Sequence, residues 1–258
     1  MRPLADLDPR GVRVLLFDVD DTLTTQGKLT AEAYGALEAL RRAGLRSVAV
    51  SGRAAGFCEY AERMWPVDAV VGENGGFWFR SIGGKVEREY REAVDVRARN
   101  RERYAAISRA IIAAVPGCAS ASDERYRETD FTIDYAEDVP TLPLEAVERI
   151  AGLMRHESLH VAVSSIHIHG WFGDYDKQIT SRALLARHFD LDPGANPAAA
   201  VFVGDSPNDA SMFAAFPKCV GVANVRTYAG RMTAEPRYVT QAAFGAGFAE
   251  LVAHLLRS

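Results

Sequence analysis

The sequence predicts an α/β fold in which a doubly wound parallel sheet is interrupted by an inserted α+β domain. Five short apolar runs indicate buried parallel strands, because strands covered by helices on both faces are apolar throughout. Helical patterns lie between several of these runs, and such alternation of strand and helix is typical of a parallel sheet. The runs lie at residues 14–17, 47–50, 69–71, 200–203 and 220–222.

The alternation stops after a Gly83-Gly84 turn, where the pattern becomes that of a smaller α+β unit. We interpret residues 84–166 as a cap domain inserted into a discontinuous core formed by 1–83 and 167–258. The core is predicted to end in an amphipathic helix around 246–256. The segments assigned to the cap are helices at 92–114 and 144–155 and strands near 130–135 and 159–166.

The composition is that of an ordinary globular protein with enough apolar material for a buried core. Of 258 residues, 48% are hydrophobic and 25% are charged. The formal net charge of -4 gives no electrostatic reason to expect a nucleic-acid partner. A substrate phosphate would therefore have to be met by a local cation.

The cysteines and the apolar runs indicate a cytoplasmic protein. The three cysteines form no CxxC pair, which argues against a zinc site or a disulfide framework and fits a reducing compartment. No run is long enough for a signal peptide or for a membrane span. We therefore expect no membrane partner.

An acidic motif, Asp18-Val19-Asp20-Asp21-Thr22, follows the first predicted strand directly. In open α/β sheets the ligand crevice lies outside the carboxyl ends of the strands, so these carboxylates fall where a ligand is expected. Such a triplet alone is better explained as a solvated turn that caps a helix, because such triplets are frequent by chance.

A second acidic segment, Gly204-Asp205-Ser206-Pro207-Asn208-Asp209, follows the 200–203 strand. Ser206 and Pro207 suit the start of a helix, and Asp209 could simply be a capping acid there. Asp205 has no such capping role and would add a carboxylate to the same crevice. Clustered carboxylates repel one another unless a cation neutralises them, and oxygen-only ligands favour Mg²⁺.

Two further segments could bind a phosphate. Ser51-Gly52-Arg53 follows the second strand and precedes a helix, where a hydroxyl and backbone N–H groups suit an anion. Lys177 begins a helix, where its charge opposes the helix dipole, so countering phosphate charge would give it a reason to be there. Either signal alone is weak, but their order at successive strand ends is specific.

With these motifs, the chain resembles the haloacid-dehalogenase superfamily over nearly its whole length. The matching residues are Asp18-x-Asp20-x-Thr22, Ser51-Gly52-Arg53, Lys177 and Gly204 to Asp209. The cap inserted between the second and third motifs resembles subfamily IIB, the Cof-like group with a type C2B cap. The resemblance implies a Rossmann-like core. Asp21 departs from the family, whose members usually carry glycine there.

The resemblance implies a Mg²⁺-dependent phosphatase that acts on small phosphorylated metabolites, with sugar phosphates the expected class. Asp18 would attack phosphorus, and Asp20 would act as the acid and base. Asp18, Asp205 and the backbone carbonyl of Asp20 would hold the metal. The remaining implied roles are phosphate binding by Thr22, Ser51, Gly52 and Lys177, and orientation of the metal or its waters by Asn208 and Asp209.

Five residues are candidates for contact with the rest of the substrate. Asn74 could reach a sugar hydroxyl, Arg125 could bind a second anionic group, and Ser165 or His167 could touch substrate from a cap strand. A metal site at His167 and His169 lacks a third nitrogen or sulfur ligand nearby in the sequence. Arg53 completes the set because it follows the phosphate-binding turn.

Three other functions remain open at this point. A phosphomutase of the phosphomannomutase type would return the phosphoryl group to a sugar instead of to water. A receiver domain also gathers acids, a threonine and a lysine, but it is about half as long and lacks a cap. A catalytically inert metabolite-binding module would not need all four motifs intact.

Overall fold

The strands of the molecule form one large sheet and one small sheet. The computed structural model describes residues 1–257. In chain order the strands are β1 (Arg2–Pro3), β2 (Val14–Phe17), β3 (Arg46–Val50), β4 (Ala69–Gly72), β5 (Phe77–Ile82), β6 (Lys85–Tyr90), β7 (Ala119–Ser120), β8 (Phe131–Asp134), β9 (His160–Val163), β10 (His167–Trp171), β11 (Ala200–Gly204), β12 (Lys218–Gly221) and β13 (Tyr238–Val239). The helices are α1 (Ala31–Arg42), α2 (Ala55–Met64), α3 (Val94–Ala114), α4 (Leu144–His156), α5 (Lys177–His188), α6 (Ala210–Ala215) and α7 (Phe244–Leu255).

The large sheet has nine strands in the order β1-β13-β12-β11-β2-β3-β4-β5-β6. Neighbouring strands pair in parallel from β1 across to β4, and only the pairings of β5 with β4 and with β6 are antiparallel. The predicted fold class is confirmed, because this mostly parallel sheet carries a separate antiparallel sheet inserted into the chain. The strands β11, β2 and β3 lie side by side, so their carboxyl ends meet at one edge.

The core lies on both faces of this sheet because successive side chains of a strand point in opposite directions. Leu15 and Phe17 of β2 pack in one apolar cluster with residues of α1, α2 and α7. Val14 and Leu16 pack in a second cluster with residues of α5 and α6. All four residues of β2 are fully buried. This double burial explains why the strand is an uninterrupted apolar run in the sequence.

The small sheet has four antiparallel strands in the order β7-β8-β10-β9. Helices α3 and α4 cover one face of it and close a third apolar cluster around Phe131, Ile150 and Ile168. We refer to this unit, with its two helices, as the cap. It is α+β in composition, as the sequence predicts.

The two sheets divide the chain at different residues from the predicted cap limits of 84 and 166. Strand β6 pairs with β5 in the large sheet, so the Gly83-Gly84 turn closes a hairpin of the core and does not mark a domain junction. Strand β10 pairs with β8 and β9 in the small sheet, so residues 167–171 belong to the cap. The hydrogen-bonded sheets therefore separate after Tyr90 and again after Trp171.

Among residues 1–257, no helix is both long enough and apolar enough to cross a membrane.

Candidate active site

Three segments meet at the carboxyl edge of the large sheet. Asp18 follows β2, Ser51 follows β3 and Asp205 follows β11, and these three strands are neighbours. Since ligands of open α/β folds bind at this edge, the fold brings together the motifs that the sequence predicts to act together.

Three carboxylates form the centre of the site. Oxygen atoms of Asp18, Asp205 and Asp209 lie within 4.8 Å of one another, and all three residues are buried. The Nζ atom of Lys177, also buried, donates to Asp18 Oδ1 at 2.6 Å and to Asp209 Oδ1 at 2.9 Å. One lysine thus faces three acids, which leaves the cluster with an excess of acidic groups.

The electrostatics of this cluster fit a divalent cation. Burial raises the pKa of Asp18, and the neighbouring carboxylates of Asp209 and Asp20 raise it further against the opposing charge of Lys177. Burial also raises the pKa of Asp205 well above its usual range, with Asp18 and Asp209 adding to the effect. A cation would relieve this repulsion, and a donor set made only of oxygen atoms suits Mg²⁺.

Asp209 is held by protein groups at both oxygens. Its Oδ1 atom accepts the hydrogen bond from Lys177, and its Oδ2 atom accepts one from the backbone N–H of Asp205 at 3.1 Å. A capping acid would accept the backbone N–H of the cap residue, Ser206. Asp209 instead accepts the N–H of Asp205, so it does not act as a capping acid. These hydrogen bonds fix Asp209 beside Lys177 and Asp205.

The loop after β2 is a short helical turn, Val19–Leu23, with Asp21 in the left-handed region at φ 59°. This conformation is easy for glycine and tolerated by aspartate, which explains the residue type at this departure from the family. Thr22 Oγ1 lies 3.4 Å from Asp205 Oδ1, so it ties the loop to the acidic cluster.

Asn224 belongs to the site although the sequence interpretation did not include it. Its Nδ2 atom donates to Asp205 Oδ2 and to the backbone carbonyl of Asp21, both at 3.0 Å. The residue lies shortly after β12, at the same edge of the sheet. A polar residue following a buried strand was therefore a signal that could have identified it.

The turn Ser51-Gly52-Arg53, which the sequence predicts to bind phosphate, is linked to Asp20 by hydrogen bonds. The hydroxyl of Ser51 accepts from the backbone N–H of Arg53 at 3.1 Å. The guanidinium of Arg53 donates through Nη2 to Asp20 Oδ1 at 2.8 Å and through Nε to Asp20 Oδ2 at 3.0 Å. It also donates to Glu137 of the cap at 3.4 Å. Arg53, a candidate substrate contact, thus bridges an acid of the core and an acid of the cap.

The cap closes over the site through its strand β10 and the residues before it. A cavity of about 20 Å³ separates core and cap at this point. Ser165 donates to Asp21 Oδ2 at 3.2 Å, and His167 lies 2.9 Å from Glu137. The cavity is lined by Asp18, Asp20, Gly52, Arg53, Ser164, Ser165, Ile166, His167, His169, Ser206 and Asn208.

His169, next to His167 on β10, is a buried neutral base. Its Nδ1 atom lies 3.0 Å from Thr132 Oγ1 and 3.4 Å from Asp130. Burial lowers the pKa of His169 well below its usual range, and the charge of Arg127 lowers it further. Within the part of the chain that the structure describes, the cluster of side chains that could hold a metal ion contains neither His167 nor His169.

A buried polar network joins the core to the cap beside the site. Both carboxylate oxygens of Glu73 accept backbone N–H groups, from Ala55 of the core at 2.8 Å and from Thr129 of the cap at 2.5 Å. Asn74 donates to Asp130 of the cap at 3.1 Å. Glu73 and Asn74 thus contact the cap, and the predicted contact between Asn74 and a substrate stays a prediction.

Arg125 does not lie near the acidic cluster of Asp18, Asp205 and Asp209. It lies exposed on the short helix Glu124–Tyr126, where its guanidinium stacks over the ring of Tyr126 at 4.6 Å. Its neighbour Arg127 is the buried one, and it donates to the backbone carbonyl of Gly52 at 3.0 Å. The sequence does not distinguish the two arginines, because nothing in it shows which of them faces the core.

A larger cleft of about 810 Å³ continues from the site between the cap and the core. Asn74, Lys177 and Asn208 line it from the core, and Tyr135 and Ser164 line it from the cap. Ser164 and Asn208 also line the small cavity, so the two spaces adjoin.

A scan of protein-family models gives no match, and neither does a search of curated protein sequences. Solved structures do match at full length. A Thermoplasma acidophilum protein is 18% identical with a TM-score of 0.73, and the match covers 96% of this chain and 99% of that protein.

Two phosphatases are similar in the same way. The sucrose-phosphatase of Synechocystis, solved with sucrose and phosphate, is 16% identical with a TM-score of 0.66 over 95% of this chain and 98% of that one. A subclass IIB sugar phosphatase of the haloacid-dehalogenase superfamily is 16% identical with a TM-score of 0.64 over 94% of this chain and 98% of that one. At these identities the likeness concerns the fold. The chain therefore has the fold of the haloacid-dehalogenase superfamily, in its subclass IIB form with a C2-type cap.

Proposed function

We propose that the protein is a Mg²⁺-dependent phosphatase that hydrolyses small phosphorylated metabolites, with sugar phosphates the expected class. The observation that carries this proposal is the contact of Asp18 with Lys177 inside a buried cluster of acids at the carboxyl edge of the sheet. This cluster offers a nucleophile, a cation and a metal site within one crevice.

In the first half-reaction, a carboxylate oxygen of Asp18 forms a bond to phosphorus and the bond from phosphorus to the ester oxygen breaks. Asp20 protonates the leaving oxygen, so the products are an alcohol and an aspartyl-phosphate. In the second half-reaction, Asp20 accepts a proton from water, whose oxygen bonds to phosphorus while the bond to Asp18 breaks. Inorganic phosphate is released and both aspartates return to their starting states.

The other residues bind and position the phosphoryl group. Lys177 and the hydroxyl of Ser51 would meet its oxygen atoms, and Thr22 would hold the loop against Asp205. The carboxylates of Asp18 and Asp205, with the backbone carbonyl of Asp20, would hold Mg²⁺. The ion would supply positive charge between the nucleophile and the phosphate, a main source of acceleration in phosphoryl transfer.

Support for a sugar-phosphate class comes from the cap and from the comparisons. The cap covers the site and leaves a cleft of metabolite size, while two proteins of the same fold are a sucrose-phosphatase and a sugar phosphatase. The polar groups at the crevice, such as Ser165 and His167, suit a leaving group that carries hydroxyls.

The test is a panel of sugar phosphates and other small monoesters incubated with the purified protein and Mg²⁺, with release of inorganic phosphate measured. We expect hydrolysis of at least one sugar phosphate, and loss of activity in excess EDTA. Isomerisation of a sugar phosphate without phosphate release would identify a phosphomutase instead. Binding of metabolites with neither reaction would point to an inert binding module.

A further inference from the structure

Glu137 of the cap contacts the side chains of Arg53 and His167 at the edge of the small cavity. Its Oε1 atom lies 3.4 Å from Nη1 and from Nη2 of Arg53, and its Oε2 atom lies 2.9 Å from Nε2 of His167. The contact with His167, opposed by burial and helped by the charge of Arg53, lowers the pKa of Glu137 to about 2. Glu137 therefore carries a negative charge at neutral pH.

The loop that carries Glu137 is fixed by its own hydrogen bonds. Asp134, buried at the end of β8, accepts the backbone N–H groups of Ala136 at 2.9 Å and of Glu137 at 2.8 Å through Oδ1. Its Oδ2 atom accepts the N–H of Asp138 at 2.8 Å. Glu137 is thus held in place by the cap sheet, and its position follows that of the cap.

Arg53 links Glu137 of the cap to Asp20 of the core. Its Nη2 and Nε atoms hold both oxygens of Asp20, and its Nη1 and Nη2 atoms face Glu137. A planar guanidinium presents its donors in a fixed fork, so the direction in which it faces fixes the orientation of a carboxylate bound to it. The side chains of Arg53, Asp20 and Glu137 are between 21% and 30% exposed, so water screens these contacts only partly.

We propose that Glu137 is a positioning residue that, by holding Arg53, fixes the side chain of Asp20 in the orientation from which its protonated form donates to the leaving group. The inference rests on the proposed function, in which Asp20 is the acid. Because Glu137 belongs to the cap and Asp20 to the core, this chain of contacts couples closure of the cap to placement of the acid. Glu137 itself touches no reacting atom.

The kinetic test compares two kinds of leaving group in Glu137→Ala. One substrate is the best alkyl phosphate from the panel, whose leaving oxygen needs a proton, and the other is p-nitrophenyl phosphate, whose leaving group departs without one. General acids contribute about 10²–10⁴-fold, so partial misplacement should lower kcat for the alkyl phosphate by about tenfold. We expect the kcat for p-nitrophenyl phosphate and both KM values to stay within about twofold.

Two further variants sharpen this comparison. Glu137→Gln keeps an oxygen acceptor for Arg53 and should recover part of the lost kcat. Glu128→Ala removes a matched cap carboxylate, which pairs with Arg97 at 2.8 Å. This variant should leave kcat unchanged for both substrates. Equal losses for both substrates, unchanged kcat, or a gain in activity in Glu137→Ala would each overturn the proposal.

A measurement without substrate separates this inference from the proposed function. Thermal unfolding is measured for Asp20→Asn, for Glu137→Ala and for the double variant. The series is made first with Arg53 present and then in an Arg53→Gln background. We expect the two Tm shifts to be non-additive with Arg53 and additive without it, because Arg53 joins the two carboxylates. Additivity with Arg53 present overturns the inference. Non-additivity in a protein inactive on every phosphate would leave the coupling standing and reject the proposed function.

Discussion

At the scale of single residues, Asp18 is the group on which the proposed chemistry depends most. Its carboxylate is buried, contacts Lys177 and lines the cavity below the cap. Substitution of Asp18 by asparagine keeps the size of the side chain and its hydrogen bond from Lys177. It removes the nucleophile, because an amide does not form the bond to phosphorus.

We therefore expect Asp18→Asn to lower kcat by roughly 10⁴-fold or more, since loss of a nucleophile costs about 10⁶-fold in another covalent enzyme. Phosphate release and far-UV circular dichroism measured on the same preparation check this. Asp95→Asn, at an exposed site on α3, is the control and should behave as wild type. Substantial phosphate release by a folded Asp18→Asn protein would show that another residue attacks phosphorus.

Asp205 and Lys177 are both buried in the acidic cluster, but they should act on different partners. Asp205 offers a carboxylate to the cation, whereas Lys177 offers a positive charge to the phosphate. We expect Asp205→Ala to raise the Mg²⁺ concentration for half-maximal activity by about 10–100-fold or more, because even indirect supports of a metal site cost that much.

Lys177→Ala should instead lower kcat/KM with a smaller change in the Mg²⁺ requirement. Titration of activity with Mg²⁺ in both variants gives the comparison. A Mg²⁺ requirement more strongly affected by Lys177→Ala than by Asp205→Ala would reverse the two assignments.

At the scale of the elements, the joint between core and cap depends on buried carboxyl groups. Burial raises the pKa of Glu73 to about 7, and the charge of Asp130 raises it further against the effects of Arg127 and Thr129. The folded state therefore binds this proton more tightly than the unfolded state does. Its contribution to stability is complete below the unfolded pKa, near 4.5, and is lost as the pH rises through about 7.

We expect deprotonation of Glu73 to lower the Tm of the wild type by about 5 °C or more between pH 5 and pH 8. Glu73→Gln should be less stable overall, because an amide cannot accept all the N–H groups, but its Tm should depend less on pH. Glu102→Gln, exposed on α3, should keep the wild-type dependence. An unchanged pH dependence in Glu73→Gln would show that the joint does not titrate.

The elements also show what the sequence predicts well and what it does not. Strands such as β2 and β11 are recognisable because burial on both faces makes them apolar throughout, and the motifs that follow them share one edge of the sheet. The limits of the cap are less recognisable, because no local pattern shows that β10 pairs with β8 and β9. Its nearness to Lys177 along the chain made it resemble core.

No local sequence pattern predicts the contacts between the cap and the core. Arg53 meets Glu137, which is 84 positions away along the chain. Glu137 lies in a loop without a motif. Arg125 and Arg127 are alike in sequence, yet only Arg127 is buried at the core, because the turn at Glu124–Tyr126 faces Arg125 outward.

At the scale of the whole molecule, the cap restricts access to Asp18. Core and cap contact each other through Ser165, Arg53 and Glu73, and the space beside Asp18 is only about 20 Å³. A lid of this kind excludes water and bulky substrates. The adjoining cleft of about 810 Å³ has room for a small metabolite but not for a folded protein.

We therefore expect kcat/KM for small sugar phosphates to exceed that for a phosphorylated protein by at least about 10²-fold. Parallel assays of a sugar-phosphate panel and a phosphoprotein measure this ratio. Substitutions in the cap, such as His167→Ala, should change the preference among sugar phosphates more than they change activity on p-nitrophenyl phosphate. A preference for the phosphoprotein would mean that the cap does not act as a lid.

The order of strands in the large sheet has a consequence for biosynthesis. Strand β2 lies between β3, which follows it closely, and β11, which the ribosome makes roughly 180 residues later. At about 5–20 residues per second, the β2 edge waits about 10–40 s for its partner, and the cap is made during that interval. An unpaired apolar edge is prone to pair with other chains. Nascent chains stopped before Ala200 should therefore need a chaperone that shields this edge, whereas chains that extend past β13 should not.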